Sequence, residues 1–307
     1  MGNFESLLTN YEIDCLNEEK NLTLKIMTYN VEWGFINLPE NINTDSCGHK
    51  IPLTTKAQYN HLDLCVKNIG LISPEICFLQ EIGSLEVMKY FNKKLRELFN
   101  LNYSYSYSNK LIGNQGVGVL INSKLKLNYK VSLIPKFNSN KALGITFYHN
   151  QNFYQIVGVH LKSFFDQKIK IDTDEQIQQI DAVCNWINKN NKDSKCIICG
   201  DFNNVPTSEP ILHIIEKYGF MDLIDSDKYV PNITNNKFTE FYLKKESNED
   251  FTTSKIVKSR IDYILTKNIN CNSVHIVNLQ RENNNSSLGL RDENSDHLPV
   301  VAIVNIC

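Results

Sequence analysis

The polar groups of this sequence that can do chemistry stand at the ends of apolar runs. Cys196-Ile197-Ile198-Cys199 leads into Gly200-Asp201-Phe202-Asn203, so a buried-type strand delivers a carboxylate and an amide, two residues apart, to the edge of a sheet. An ionised Asp can orient or activate a water, and an Asn amide can stabilise charge on a phosphate in transit. Asp and Asn are also ordinary turn residues, so this stretch alone carries little weight. Other strand ends repeat the pattern, with Asn30 and Glu32 after Leu22–Tyr29, Glu81 after Ile76–Gln80, and His160 after Phe153–Val159. Asp262 lies within Ser259–Leu265, and Asp296 with His297 precedes the closing apolar run. Carboxylate and amide oxygens suit Mg²⁺, with Mn²⁺ as a substitute, and such an ion bridges readily to a substrate phosphate. Two histidines and an ionised Asp can move protons. No Cys, Ser or Thr stands in a nucleophile context, so attack by water on a phosphoester is the economical chemistry.

These groups need strands and helices to hold them. Leu22 to Val31 alternates as a strand, which points Asn30 and Glu32 the same way. Leu62, Cys65, Val66 and Ile69 give Thr55–Ile72 a helical period, and Leu85–Phe99 and Asp174–Asn191 read as further helices. The stretch Thr207–Tyr218 reads as a short helix. Strands are predicted at Ile76–Leu79, Tyr103–Tyr107, Val117–Ile121, Lys126–Leu133, Leu143–His149, Phe153–Leu161, Ser259–Leu265, Asn272–Leu279 and the C-terminal run to Ile306. Residues 226–258 read as a long polar loop with one short strand, and 281–294 as an Asn/Ser loop. No linker composition interrupts the chain, so residues 1–21 are a polar lead-in and 22–307 a single α/β (α+β) domain.

Composition narrows the classes. The 307 residues are 42% hydrophobic and 21% charged, without an apolar run long enough for a membrane helix. Nine cysteines, mostly inside apolar runs, read as reduced core thiols and hence an intracellular protein, cytoplasmic or nuclear. Met1-Gly2-Asn3-Phe4-Glu5-Ser6 fits the N-myristoylation pattern at Gly2, but the acidic residues that follow oppose an anionic membrane surface. A net charge of −2 excludes a generic polyanion binder. Yet Leu98 to Phe165 holds no Asp or Glu and seven lysines, Lys162 among them. That stretch is either a positive field for a phosphate-bearing substrate or a set of solvent-facing strand positions. Tyr103, Tyr105 and Tyr107 can stack on bases or pack a sheet face. Cys47, His49, His61 and Cys65 match no usual zinc spacing, and His61 with Cys65 fits an ordinary helix face. A monomer is expected.

Taken together and in this order, the motifs resemble the endonuclease/exonuclease/phosphatase superfamily over nearly the whole chain, from Lys25 to Ile306. Thr28-Tyr29-Asn30-Val31-Glu32 resembles its opening Asn motif, Leu79-Gln80-Glu81 its metal motif, and Gly116-Val117-Gly118-Val119 its Gly-rich strand. Val159-His160-Leu161, Gly200-Asp201-Phe202-Asn203, Arg260-Ile261-Asp262-Tyr263 and Ser295-Asp296-His297 complete the set. The resemblance implies a DNase I-like four-layer α/β/β/α sandwich with two packed mixed β-sheets, and a site where strand edges from both sheets meet. It implies that Glu81 is the principal Mg²⁺ ligand, with Asn30, Glu32 and Asp296 near the ion. Asp201 would orient or activate the water, and Asn203 would contact the phosphate, with Asn30 and Lys162 also on the substrate. His297, polarised by Asp262, would be the phosphate-binding or general-base histidine, and His160 the acid for the leaving group. The family often has Asp at the position of Glu32. Abasic-site endonucleases commonly carry Tyr at the position of His160, whereas DNase I-like, sphingomyelinase-like and deadenylase-like members carry His.

A nuclease acting on DNA or RNA is therefore the first expectation. A phospholipid (sphingomyelinase-like) or inositol-phosphate hydrolase on the same scaffold is the alternative. A catalytically dead interaction module is disfavoured because Glu81, Asp201 and His297 are all present.

Overall fold

A computed structural model describes residues 22–36, 55–108, 115–135, 141–163, 169–231, 237–245, 254–277 and 295–306. Its first six-stranded sheet is built from β1 (Leu22–Gly34), β2 (Ile76–Ile82), β3 (Tyr103–Tyr107), β4 (Gly116–Asn122), β13 (Asn270–Ile276) and β14 (Val300–Ile306), in the order β13-β14-β1-β2-β4-β3. The second has the order β5-β6-β7-β8-β12-β9, from β5 (Tyr129–Leu133), β6 (Ala142–His149), β7 (Asn152–His160), β8 (Lys195–Asp201), β9 (Met221–Asp222) and β12 (Asp262–Lys267). A separate two-stranded ribbon joins β10 (Glu240–Lys245) to β11 (Ser254–Ser259).

Period-2 alternation explains how the layers assemble. On β1, Leu24 and Ile26 face the second sheet, where they join Ile76, Phe78, Ile156, Ile197, Cys199 and Ile264 in one apolar layer between the sheets. The alternate β1 residues, Met27, Tyr29 and Val31, face the other way and pack under α1 (Thr55–Ile72) and α2 (Leu85–Phe99). On the second sheet, Val157, Val159, Cys196 and Ile198 pack under α3 (Ile169–Asn191) and α4 (Glu209–Tyr218). Each fully buried Leu, Ile or Phe contributes about 1.5–3 kcal/mol, so all three layers are needed to hold the sandwich. Gly158 lets the sheets close, since a Cβ there would lie 2.0 Å from the Phe78 ring. The result is the expected α/β/β/α sandwich.

Several boundaries differ from the sequence expectation. Helix α3 starts at Ile169 rather than Asp174, with Asp172 in its first turn, where a carboxylate favours the helix dipole. The run Ser259–Leu265 is not one strand, because β11 ends at Ser259 and β12 begins at Asp262. The break is held by Thr239, whose Oγ1 accepts the N–H groups of Ile261 (3.1 Å) and Asp262 (3.0 Å). Residues 226–258, read as a polar loop with one short strand, hold the β10–β11 ribbon. Tyr103, Tyr105 and Tyr107 pack against the α1–α2 layer, so they form a sheet face rather than a base platform. His61 Nε2 lies 2.6 Å from the Val31 carbonyl, in keeping with a helix-face histidine, while Cys47 and His49 fall outside the described residues. The lead-in 1–21 with Gly2, the loop 281–294 and the last part of the predicted strand Asn272–Leu279 also fall outside them.

Candidate active site

Each sheet contains one parallel pair joined by a helical crossover, β1-α1-β2 in the first and β7-α3-β8 in the second. Ligands bind in such folds beyond the carboxyl ends of the parallel strands. Here those ends carry Asn30 opposite Gln80 in the first pair and His160 opposite Asp201 in the second. Asn30 continues the inward-facing row Leu24-Ile26-Thr28, and Asp201 the row Ile197-Cys199, so both side chains enter the gap between sheets. They meet there, with Asn30 Nδ2 donating to Asp201 Oδ2 at 2.9 Å.

Three site residues break the alternation through backbone with positive φ: Glu32 (+43°), Glu81 (+61°) and Asn203 (+52°). Left-handed backbone costs a non-glycine residue about 1–2 kcal/mol, and here it re-aims side chains. By alternation Glu81 would face the helix layer with Cys77 and Leu79. Instead the register of β2 shifts between Leu79 and Ile82, and the Glu81 carboxylate accepts from Asn30 Nδ2 (3.2 Å) and Gln115 Nε2 (2.7 Å). Glu32 N–H is held by Asn30 Oδ1 at 3.0 Å, and its Oε2 accepts from the Asp296 N–H at 3.1 Å. Asn203 N–H bonds Asp201 Oδ1 at 2.8 Å, and one of its amide N–H groups bonds the Leu161 carbonyl at 3.0 Å. Ahead of this turn stands Gly200, with φ +149° and only 2.0 Å between an added Cβ and the Val159 carbonyl oxygen, so no side chain fits.

The third motif arrives from the C-terminal segment. Ser295 Oγ donates to the Asn30 carbonyl at 2.6 Å and accepts the His297 N–H at 3.1 Å, which fastens Asp296-His297 to β1. His297 Nδ1 is 2.8 Å from Asp262 Oδ2, while its Nε2 lies 3.9 Å from Asp201 Oδ2 and 3.7 Å from Asp296 Oδ1. His160 Nε2 lies 3.8 Å from the same Asp201 oxygen.

Burial and neighbours set the charges. Burial opposes protonation of His297, but Asp262, Asp296 and Asp201 together hold it well above the usual imidazole value, so it is a cation at neutral pH. Burial pushes His160 well below that value, and the nearby Lys141 and His297 cations push it further, so it is neutral. The family resemblance implies that His160 is the leaving-group acid; a neutral ring can donate only its one N–H. Burial pushes Asp201 up to about 7, with the His297 cation pulling back and Asp262 adding to the rise. Burial and then Glu32 push Asp296 well above the usual carboxylate range, with Glu81 and Glu240 contributing. Burial and then Glu81 likewise raise Glu32.

This last set tests a cation site. Glu32, Glu81 and Asp296 crowd hard oxygens that destabilise one another's charge, the condition a divalent cation relieves. The tightest clusters among the described residues are Asp201-Asp262-His297 and Glu240-Asp296-His297, each with ligand atoms within 4.8 Å. The first is better suited to proton handling, because Asp262 and His297 already spend their facing atoms on each other. Glu81, Glu32 and Asp296, with Asn30 beside them, offer oxygens that suit a hard ion, and Glu240 adds a carboxylate next to Asp296 and His297.

Asn30, Glu32, Glu81, His160, Asp201, Asn203, Asp262, Asp296 and His297 thus come together at one edge. Lys162 lies two residues beyond His160, its backbone tied to α3 through Gln179 and Gln176. The described lysines of the acid-free stretch do not all lie beside the site. Lys124 follows the end of β4 remote from Gln115, and Lys130 pairs with Thr146, well down the β5–β6 ladder from the site. Sequence reasoning missed Lys141, whose carbonyl accepts the His160 N–H and which stands one position before the Ala142–Val159 pair. Lys141, His160, Asp201 and Asp262 consequently form one row across four neighbouring strands. It also missed Gln115, Thr239 and Glu240, which position the motif residues, and took in Ser295 only as part of the Ser-Asp-His motif. Gln115 and Thr239 lie outside the strands and Glu240 opens β10, and no local pattern reveals their pairing.

Two packed mixed sheets with such a junction of acids, amides and imidazoles define a metal-dependent phosphoester hydrolase. Residues 27–297 match the Endonuclease/Exonuclease/phosphatase family, and the chain belongs to it. No curated protein matches the sequence significantly. The fold is similar to that of D. rerio TDP2 complexed with single strand DNA product, with 15% identity, a TM-score of 0.59, and coverage of 92% of this chain and 99% of that one. A Bacteroides thetaiotaomicron endonuclease/exonuclease/phosphatase family protein gives 13% identity, a TM-score of 0.61, and coverage of 94% and 99%. Truncated Caenorhabditis elegans TDP2 gives 15%, 0.59, 93% and 98%. At this identity the likeness concerns the fold.

Proposed function

We propose that the protein is a Mg²⁺-dependent phosphodiesterase that cleaves DNA or RNA by water attack. The observation that carries this reading is the inter-sheet junction, where the Asp201 carboxylate receives Asn30 at 2.9 Å between two histidines, at 3.8 and 3.9 Å. Glu81, Glu32, Asp296 and Asn30 would hold the ion, with Mn²⁺ as a substitute. Bound there, a divalent cation supplies neutralising charge to the phosphate oxygens.

The remaining steps belong to the chain. Asp201, with its carboxyl near 7, accepts a hydrogen bond from the attacking water and takes its proton as the new P–O bond forms. The His297 cation, braced by Asp262, binds a non-bridging phosphate oxygen, and the free N–H of the Asn203 amide binds another. The neutral His160 donates its ring N–H to the departing oxygen as the old P–O bond breaks, and solvent completes its protonation. Lys141 adds positive charge beside His160. The single-strand DNA product in the D. rerio TDP2 structure favours a nucleic-acid substrate for this shared fold.

The test is a Mg²⁺-dependent hydrolysis panel of supercoiled DNA, single-stranded RNA, poly(A), sphingomyelin and an inositol polyphosphate, with Asp201→Ala protein as blank. Cleavage confined to nucleic acid is expected. Turnover of lipid or inositol phosphate alone would replace this reading with the second one.

A further inference from the structure

We propose that His61 is a positioning residue for Glu32, acting through the Val31 carbonyl to hold the turn of β1 that aims this carboxylate at the cation site. The proposal rests on the assignment of Glu32 to that site.

The geometry starts with a backbone irregularity. Strand β1 pairs with β2 as far as Asn30 and resumes only at Gly34, so Val31 and Glu32 lie in a bulge. Bulges re-aim side chains and leave backbone groups without a ladder partner. Glu32 sits in the left-handed region at φ +43°. On the site side the bulge is fastened by Asn30 Oδ1 to the Glu32 N–H (3.0 Å) and by the Asp296 N–H to Glu32 Oε2 (3.1 Å). On the opposite side the Val31 carbonyl points into the helix layer, where His61 Nε2 meets it at 2.6 Å. A carbonyl can only accept, so Nε2 carries the proton. Cys65 Sγ, one helical turn on, lies 3.9 Å from His61 Nε2 and donates a longer, weaker bond to the Val31 oxygen, also at 3.9 Å, so the imidazole is the principal donor.

His61 can occupy this place because α1 is packed by its neighbours. Leu62, Cys65, Val66 and Ile69 are buried against the first sheet, which fixes the helix and therefore the reach of the imidazole. The chain thus has a rigid element on one side of the bulge and a cluster of carboxylates on the other. Outer partners of metal-binding residues typically set metal affinity by 10–100-fold. His61 would do so at one remove, through a peptide group rather than through the ligand itself.

The experiment measures Mn²⁺ binding to substrate-free protein by the electron paramagnetic resonance signal of free Mn²⁺, with thermal melting as the check on folding. His61→Leu, which keeps bulk but lacks a donor, should weaken binding about 10–100-fold. His61→Asn, too short to reach the carbonyl, should do the same, and it carries the comparison should the Leu variant not fold. His61→Gln, whose amide N–H sits near the position of Nε2, should stay within about threefold of the parent. In a Glu32→Ala background, His61→Leu should have no further effect, since positioning acts through Glu32. Folded Leu and Asn variants that bind Mn²⁺ like the parent would overturn the proposal, as would equal losses in the Gln and Leu variants. If Glu32→Ala alone leaves Mn²⁺ binding unchanged, it is the cation-site assignment that fails.

Discussion

A carboxylate buried for catalysis should cost stability, and Asp201 makes that cost measurable. Its carboxyl is pushed up to about 7 in the folded protein, while an unfolded Asp titrates at about 3.9. Between these values the unfolded chain has already released its proton and the folded protein has not. Stability therefore falls as pH rises from about 4 to about 7, then levels, at about 1.4 kcal/mol per pH unit. From pH 5 to pH 8 the loss attributable to this group is about 2–3 kcal/mol. Asp201→Asn removes it, because an amide does not titrate. Its oxygen can accept from the Asn203 N–H as Asp201 Oδ1 does at 2.8 Å. Its nitrogen faces the Asn30 Nδ2 donor that Asp201 Oδ2 accepts at 2.9 Å, a cost that does not vary with pH. Asp262 and Asp296 hold His297 well above the usual imidazole value in both proteins, and Asp201→Asn removes only the share that Asp201 adds.

The assay is urea unfolding of both proteins in EDTA at pH 5 and pH 8. Between pH 5, where the folded Asp201 is protonated, and pH 8 the parent should lose about 2–3 kcal/mol of stability that the variant does not lose. Parallel pH profiles would refute the reasoning, because Asp201 would then titrate alike in the folded and unfolded chains. Such a result would also remove Asp201 as the acceptor of the water proton near neutral pH.

Glu81→Ala should lower hydrolysis by at least about 100-fold and weaken Mn²⁺ binding, with the melting temperature little changed. EDTA should silence the enzyme, and Mg²⁺ or Mn²⁺ should restore it; activity that survives chelation would exclude the cation site. Lys141→Met should raise KM for a phosphodiester about tenfold and kcat little, the loss expected of one charged phosphate contact, as steady-state kinetics can check. Asp262→Asn should bring the alkaline fall of kcat/KM to lower pH. Asp262 helps to hold His297 protonated, so activity that needs the cation is lost as pH rises through its value, and earlier without Asp262.

How much of this was legible in the sequence follows from the range of each interaction. Asp201 and His297 could be singled out because one ends and the other precedes an apolar run, whereas Asp262 was singled out inside a predicted strand, within the Arg-Ile-Asp-Tyr motif. The junction itself could not be read from periodicity, since Asn30 and Asp201 are 171 residues apart and meet only when two sheets stack. Lys141 was lost for the same reason, being one lysine among seven until β6 paired with β7. The break at Arg260-Ile261 escaped notice because Ser259–Leu265 alternates well enough for a strand. What interrupts it is a hydroxyl from Thr239, over 20 residues upstream.

The departures from regular backbone carry a further consequence. Patterning puts Glu81 on the helix face, where its carboxylate would be buried against the apolar residues under α1 and α2. The left-handed turn at φ +61° avoids that burial and brings the carboxylate within reach of Asn30 and Gln115. Glu32 and Asn203 use the same device at φ +43° and +52°. Strain of this kind persists only where the surroundings over-determine it. Here they do: Gln80 beside Glu81 is locked to Thr28 at 3.0 Å, Asn30 and Asp296 fasten Glu32, and Leu161 fastens Asn203. The regular strands bring the two sheets' edges together, and the three irregular residues turn polar groups into the gap that results. Loosening one of these fastenings should therefore disturb the site before it disturbs the fold.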